Sequence, residues 1–214
     1  MVSQGQIKAV LFDMDGVLID ARDWHYQALN EALEPVGAEI SYEDHLERFN
    51  GMSTNTKLRI LSAENNFPVS LHKVVNEIKQ DRTLRIAGQL CFPVVQHQIL
   101  MSRLRLHGLS IAVVTNSIRK SAEALLDFAQ LLGFLDALIT NQDVVRQKPD
   151  PECYLLACKK LGIEPSEALV VEDGDYGAEA ALKAGCKVIR VNAPSDVSLE
   201  LLLDEMPYLL DAPK

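Results

Sequence analysis

Leu11-Phe12-Asp13-Met14-Asp15-Gly16-Val17 places two carboxylates directly behind a short apolar run that begins at Ile7. A run of that length, closed by a glycine, reads as a buried strand running into a turn. Acids at the end of such a strand are an unusual choice for a segment that only has to pack. A pair so placed can hold a hard cation through oxygen ligands, while one member attacks an electrophile and the other moves a proton. The competing structural reading is an Asx turn made by Asp15 ahead of Gly16. A calcium EF-hand fits poorly, because Gly16 comes too early and the strand context is wrong.

Outward from this stretch, short apolar runs recur at 109–115, 137–139, 168–171 and 187–191, and from Leu109 onward helical segments separate them. Strands alternating with helices predict a layered parallel α/β sheet, whose ligands gather beyond the carboxyl ends of the strands. The alternation fails between about Asp20 and Leu90, where the pattern reads as several helices. The expected organisation is therefore a core made of 1–19 and 91–214 with a helical insertion at 20–90. Trp24, Ala28, Ala32 and Val36 form one apolar stripe on the first inserted helix, which Pro35 shortens. Ser41 with Asp44, then Ser53 or Thr54, then Ser70 are the expected N-caps of the next three helices.

The composition sets outer bounds. With 214 residues, 48% hydrophobic and 24% charged, the chain suits a packed domain carrying a smaller inserted one. A formal net charge of −9 opposes a broad nucleic-acid footprint, which needs many cations to neutralise phosphates. The apolar stretch Ala9-Val10-Leu11-Phe12 is too brief for a signal peptide or a membrane span, so a cytoplasmic location with no membrane partner is expected. Cys91, Cys153, Cys158 and Cys186 form no CxxC pair, which predicts buried thiols in place of zinc or disulfides. The oligomeric state is not legible; the chain is compatible with a monomer.

Three further segments carry residues suited to anion chemistry. In Val113-Val114-Thr115-Asn116-Ser117 a strand meets a helix N-terminus, where the Thr115 hydroxyl and backbone N–H groups can hold phosphoryl oxygens. Arg119 and Lys120 in the first helical turn suggest a neighbouring anion, whereas the ordinary reading has Ser117 capping the helix and the cations solvated. In Lys148-Pro149-Asp150-Pro151-Glu152 the prolines stiffen the base of one lysine, with Asp150 and Pro151 expected at N-cap and N1 of a helix. Its ammonium can neutralise charge beside a nucleophile, although a surface lysine is the default. In Leu169-Val170-Val171-Glu172-Asp173-Gly174-Asp175 acids again end an apolar strand, so Asp173 and Glu172 can ligate a divalent ion opposite Asp13. Helix capping by Asp173 or Asp175 is the alternative, and Gly177 with Ala178 allows close packing at that helix.

Taken together, DMDGVL, VVTNS, KPDP and VVEDGDYGAEAALKAG closely resemble the four loops of the haloacid-dehalogenase-like superfamily, nearest to its β-phosphoglucomutase-like branch. The resemblance implies a Rossmann-like layered parallel sheet core with an inserted α-helical cap. It implies Asp13 as nucleophile and Asp15 as acid and base. Mg²⁺ would be held by Asp13, Asp15, Asp173 and Glu172, and Thr115, Asn116 and Lys148 would grip the phosphoryl group. In the cap, Gly51, Ser53 and Thr54 fall at the branch's substrate-specificity loop, and His25 falls where the branch often places a histidine near the acid and base aspartate, with a solvated cap-helix histidine as the equal alternative. Thr54 departs from the pattern, since mutases carry an arginine there to hold a second phosphate.

The leading expectation is a Mg²⁺-dependent phosphatase of a small phosphorylated metabolite, such as a sugar phosphate, acting through an aspartyl-phosphate. A sugar-phosphate mutase is the alternative and needs Arg48, Lys57 or Arg59 to replace the missing arginine. Phosphonate cleavage lacks an identifiable Schiff-base lysine in the cap. A catalytically idle phosphometabolite-binding module is opposed by the intact acids and lysine. Neither GxGxxG nor a Walker loop occurs in the chain.

Overall fold

A computed structural model describes residues 6–49 and 51–211. In chain order its principal elements are β1 (Ala9–Phe12), α1 (Arg22–Leu33), α2 (Tyr42–Glu47), α3 (Thr54–Asn65), α4 (His72–Leu90), α5 (Val95–Leu106), β2 (Ser110–Val114), α6 (Arg119–Phe128), β3 (Ala137–Ile139), α7 (Glu152–Leu161), β4 (Ala168–Glu172), α8 (Asp175–Ala184), β5 (Lys187–Arg190) and α9 (Leu199–Leu202). The chain divides into two compact units, one running up to Asp20 and resuming at Phe92, the other spanning Ala21–Cys91. Asp20 thus groups with the sheet and Cys91 with the helices, each one residue from where the sequence pattern placed it.

The sheet is parallel throughout, in the order β3-β2-β1-β4-β5. Such sheets bury both faces, which is why β1, β2 and β4 read as nearly continuous apolar runs rather than alternating ones. All four residues of β1 are fully buried. Alternation within each strand still assigns faces: Ala9, Leu11, Ala112, Val114, Ala137, Ile139, Ala168 and Val170 form one core cluster with Tyr154, Ala157 and Cys158 of α7 and Ala180, Ala181 and Ala184 of α8. Small residues on α8 let that helix lie close to the strands. All four cysteines are buried free thiols.

In the helical unit, α1 packs on α4, and Leu29, Leu33, Ile40, Phe49, Leu58, Leu61, Phe67 and Val75 form a separate core. Ala28 and Ala32 are buried as the stripe requires, but Val36 is exposed, because α1 stops at Leu33 and Pro35 lies in a following 3₁₀ turn. Ser41 and Ser53 cap α2 and α3 by accepting from Asp44 N and Thr56 N. Ser70 does not cap α4, since it sits inside a 3₁₀ turn, Val69–Leu71, that leads directly into that helix.

Candidate active site

Parallel strands end on the same side of a sheet, and β2, β1 and β4 are adjacent, so the residues beyond their carboxyl ends are forced together. Asp13 is the first residue past β1, and its N–H still donates to Val171 O at 2.9 Å. Thr115 is the first past β2, donating to Ile139 O at 2.9 Å, and Glu172 closes β4. Residues more than a hundred positions apart become neighbours by topology.

The chain turns sharply after Asp13. Leu18 N and Ile19 N both donate to Met14 O at 2.9 Å, and Gly16 N donates to Ile19 O at 2.8 Å. Gly16 adopts φ +89°, a left-handed conformation that costs a side-chain-bearing residue strain. A Cβ there would also stand 2.3 Å from Asp173 Oδ2, so the turn lies directly against the acid of β4's loop. Asp15 is held from another strand, by Ser117 Oγ donating to its Oδ2 at 2.9 Å. A local Asx turn does not account for that contact. Ser117 consequently does not cap α6, whose N-cap is Ile118 without a side-chain bond. The Ser117 N–H donates to Thr115 Oγ1 at 3.0 Å, which folds the Thr115–Ser117 loop on itself.

Lys148 is buried, not a surface lysine. Its ammonium donates to Asp13 Oδ1 at 2.7 Å, Val114 O at 3.0 Å and Glu172 Oε2 at 3.2 Å. Those three acceptors use its three protons. Burial opposes its charge, yet Asp13 and then Glu172 hold its pKa well above the usual lysine range. The preceding loop is clamped by Glu152, whose carboxylate accepts from Val145 N at 2.9 Å and Arg146 N at 3.0 Å. Helix α7 begins at Glu152 with Pro151 as N-cap, one residue later than the sequence pattern predicts. Asp150 still contributes a cap-like bond, accepting from Glu152 N at 3.0 Å.

Asp13, Glu172 and Asp173 each present an oxygen within 4.8 Å of the others. Three carboxylates against the one Lys148 ammonium leave two negative charges, the complement of a divalent cation. Burial first, and then the Glu172 charge, drive the Asp13 carboxyl well above the ordinary aspartate range, and Glu172 is likewise raised by burial. Beside Asp13 the Glu172 charge outweighs the relief that Lys148 gives, whereas at Glu172 burial outweighs it. An all-oxygen donor set of this charge fits a hard cation such as Mg²⁺. The N-cap position of α8 is taken by Gly174, and Asp175, inside the first turn, pairs with Arg190 at 3.0 Å.

The remaining candidates make other contacts. Arg119, expected beside an anionic ligand, donates instead to Asp143 Oδ2 at 2.7 Å and to Glu123 Oε1 at 3.3 Å, and Lys120 is exposed. His25, Gly51, Ser53 and Thr54 all belong to the helical unit: His25 Nδ1 lies 3.0 Å from Lys79 Nζ, Gly51 is exposed, and Ser53 and Thr54 start α3.

Sequence reasoning passed over several residues. Asn141 donates from Nδ2 to Asn116 O at 2.8 Å and from its N–H to Ser117 O at 3.2 Å, bracing the Thr115–Ser117 loop. Tyr154 donates to Glu172 Oε2 at 3.0 Å from within the core. The available signal was a tyrosine on the apolar face of a helix, since a buried phenol needs an acceptor.

A family model described as haloacid dehalogenase-like hydrolase matches residues 10–191. The chain belongs to the haloacid dehalogenase-like hydrolases. Among these hydrolases it is similar to hexitol phosphatase A of Escherichia coli, 32% identical over 194 residues that cover 88% of this chain and 85% of the relative. It is also similar to a phosphorylated carbohydrates phosphatase of Thermotoga maritima, 28% identical over 183 residues that cover 86% and 84%. In fold this hydrolase resembles β-phosphoglucomutase of Clostridium difficile, with a TM-score of 0.82, 20% identity and coverage of 94% and 97%. Among the described residues, no helix is long and apolar enough to cross a membrane.

Proposed function

We propose that this hydrolase is a Mg²⁺-dependent phosphatase that cleaves phosphorylated carbohydrates or similar small metabolites through an aspartyl-phosphate on Asp13. The observation that carries the reading is the Asp13 carboxylate lying 2.7 Å from the Lys148 ammonium inside a cluster of acids. Such a carboxylate is desolvated, oriented and partnered by a cation that also suits the equatorial oxygens of a phosphoryl group.

Asp13 attacks phosphorus as the bond to the leaving oxygen breaks, and Asp15 delivers its proton to that oxygen. Asp15 then takes a proton from water, which attacks phosphorus and releases inorganic phosphate as the bond to Asp13 breaks. Ser117 keeps the Asp15 carboxyl in place for both transfers. The Thr115–Asn116 corner holds the phosphoryl oxygens, and the Lys148 ammonium offsets their charge. Asp13, Asp173, Glu172 and the Asp15 main-chain carbonyl would hold Mg²⁺, which supplies positive charge to offset the charge of the phosphoryl group. The helical unit is assigned the part of a substrate-selecting cap.

The mutase reading is weaker on a specific ground. Thr54 offers no cation, and Arg48 is engaged by two acids, with Nη2 donating to both Glu64 oxygens at 2.9 and 2.7 Å and Nη1 to Asp44 Oδ1 at 3.2 Å. The test is phosphorus NMR of purified enzyme with Mg²⁺ and a panel of hexose and hexitol phosphates. Free phosphate is expected as the product; interconversion of sugar phosphates without free phosphate overturns the phosphatase reading.

A further inference from the structure

Tyr154 lies six residues after Lys148 and is fully buried in the core formed by α7, α8 and the sheet. Phenylalanine would fill the same volume. A hydroxyl in that position is costly unless it is hydrogen-bonded, and its acceptor is Glu172 Oε2, 3.0 Å away. The ring of the same residue lies under Lys148, whose Nζ is 5.1 Å from the ring centroid, within cation–π range. One side chain therefore touches both members of the buried Lys148–Glu172 pair.

Glu172 is confined on its other side as well. A Cβ on Gly177 would come within 1.8 Å of Oε1, so the carboxylate is seated against bare backbone in the first turn of α8. Tyr154 and Lys148 both donate to Oε2. Rotation of the carboxylate would break both bonds and drive Oε1 from its seat on α8.

We propose that Tyr154 is a positioning residue for the magnesium site, fixing through its hydroxyl which oxygen of Glu172 faces the ion. This rests on the Mg²⁺ reading above. Partners that orient a metal-binding carboxylate typically change metal affinity by about tenfold or more when removed.

The test is Mg²⁺ binding by calorimetry to wild type, Tyr154→Phe and Cys158→Ala, with no substrate present. The expected result is a dissociation constant about tenfold weaker in Tyr154→Phe and unchanged in Cys158→Ala, a truncation in the same helix and core. Equal affinity of Tyr154→Phe and wild type overturns the proposal. So does an equal loss in Cys158→Ala, which would assign the effect to a loosened core. Failure of wild type to bind Mg²⁺ overturns the metal reading and this inference with it. A second measurement does not depend on the variant folding: in wild type labelled with ¹³Cζ-tyrosine, the Tyr154 resonance shifts on saturation with Mg²⁺. A resonance that stays in place counts against the proposal.

Discussion

Ser117 Oγ donates to Asp15 Oδ2 at 2.9 Å, joining the loop after β2 to the loop after β1 across 102 positions of sequence. In the proposed mechanism Asp15 gives and takes the proton, so its orientation rests on a hydroxyl from the loop of a different strand.

Ser117→Ala removes that donor and little else. A hydrogen bond to a charged group is worth roughly 1.5–3 kcal/mol, so turnover of sugar phosphates should fall about tenfold to a hundredfold. p-Nitrophenyl phosphate should suffer less, because its leaving group needs little protonation. Equal losses on both substrates in steady-state assays would remove the link to Asp15.

Asp13→Asn should abolish turnover while leaving the far-ultraviolet circular dichroism unchanged. The amide is nearly isosteric but cannot attack phosphorus as a carboxylate does. A purified variant with wild-type rates would end the nucleophile assignment.

Chelation should abolish activity, and Asp173→Ala should raise the Mg²⁺ concentration for half-maximal rate by about tenfold or more, since Mg²⁺ demands a nearly complete octahedral ligand set. The check is a Mg²⁺ titration of the initial rate. Full activity after exhaustive chelation would contradict the proposed chemistry.

Gly177→Ala tests the seat of Glu172 without replacing a candidate catalytic or metal-binding residue. The new methyl collides with the Glu172 carboxylate, at 1.8 Å from Oε1, so either the acid or α8 must move. Overpacking of this kind costs about 1–3 kcal/mol. Both a lower melting temperature and a higher Mg²⁺ requirement are expected; wild-type values for both would show that the seat tolerates a methyl.

His45 sets a pH limit on the helical unit. Burial, and then the nearby Lys57 charge, lower its pKa from 6.5 to about 4, while the rings of Tyr26 and Tyr42 pack around it at 5.1 and 6.1 Å. The unfolded chain therefore takes up a proton near pH 6.5 that the folded one resists until about pH 4. The His45 contribution is complete above pH 6.5 and lost as pH falls toward 4. His45→Phe should shrink the drop in melting temperature between pH 7.5 and 5 by roughly 3–5 °C. Parallel melts of the two proteins decide it, and identical drops would absolve His45.

The strands, their order of appearance, the helical insertion and the four loops were legible because a parallel sheet buried on both faces writes itself as short apolar runs, and because acids, a hydroxyl and a proline-flanked lysine at strand ends are rare in residues that merely pack. The expected cap at Ser70 failed because the chain enters α4 through a tighter turn, and the capping alternatives at Ser117 and Asp175 gave way to partners distant in sequence. Arg119 likewise pairs with Asp143, 24 positions away, a contact that no local pattern encodes. The sequence by itself determined which residue types stand at the ends of which strands. Tertiary structure alone decided that Lys148 spends its three protons on Asp13, Glu172 and the Val114 carbonyl, and that Tyr154 and Gly177 confine Glu172. The physical reason is that a local pattern is set by neighbours along the chain, whereas a buried charge is stable only where groups from several strands converge to meet it.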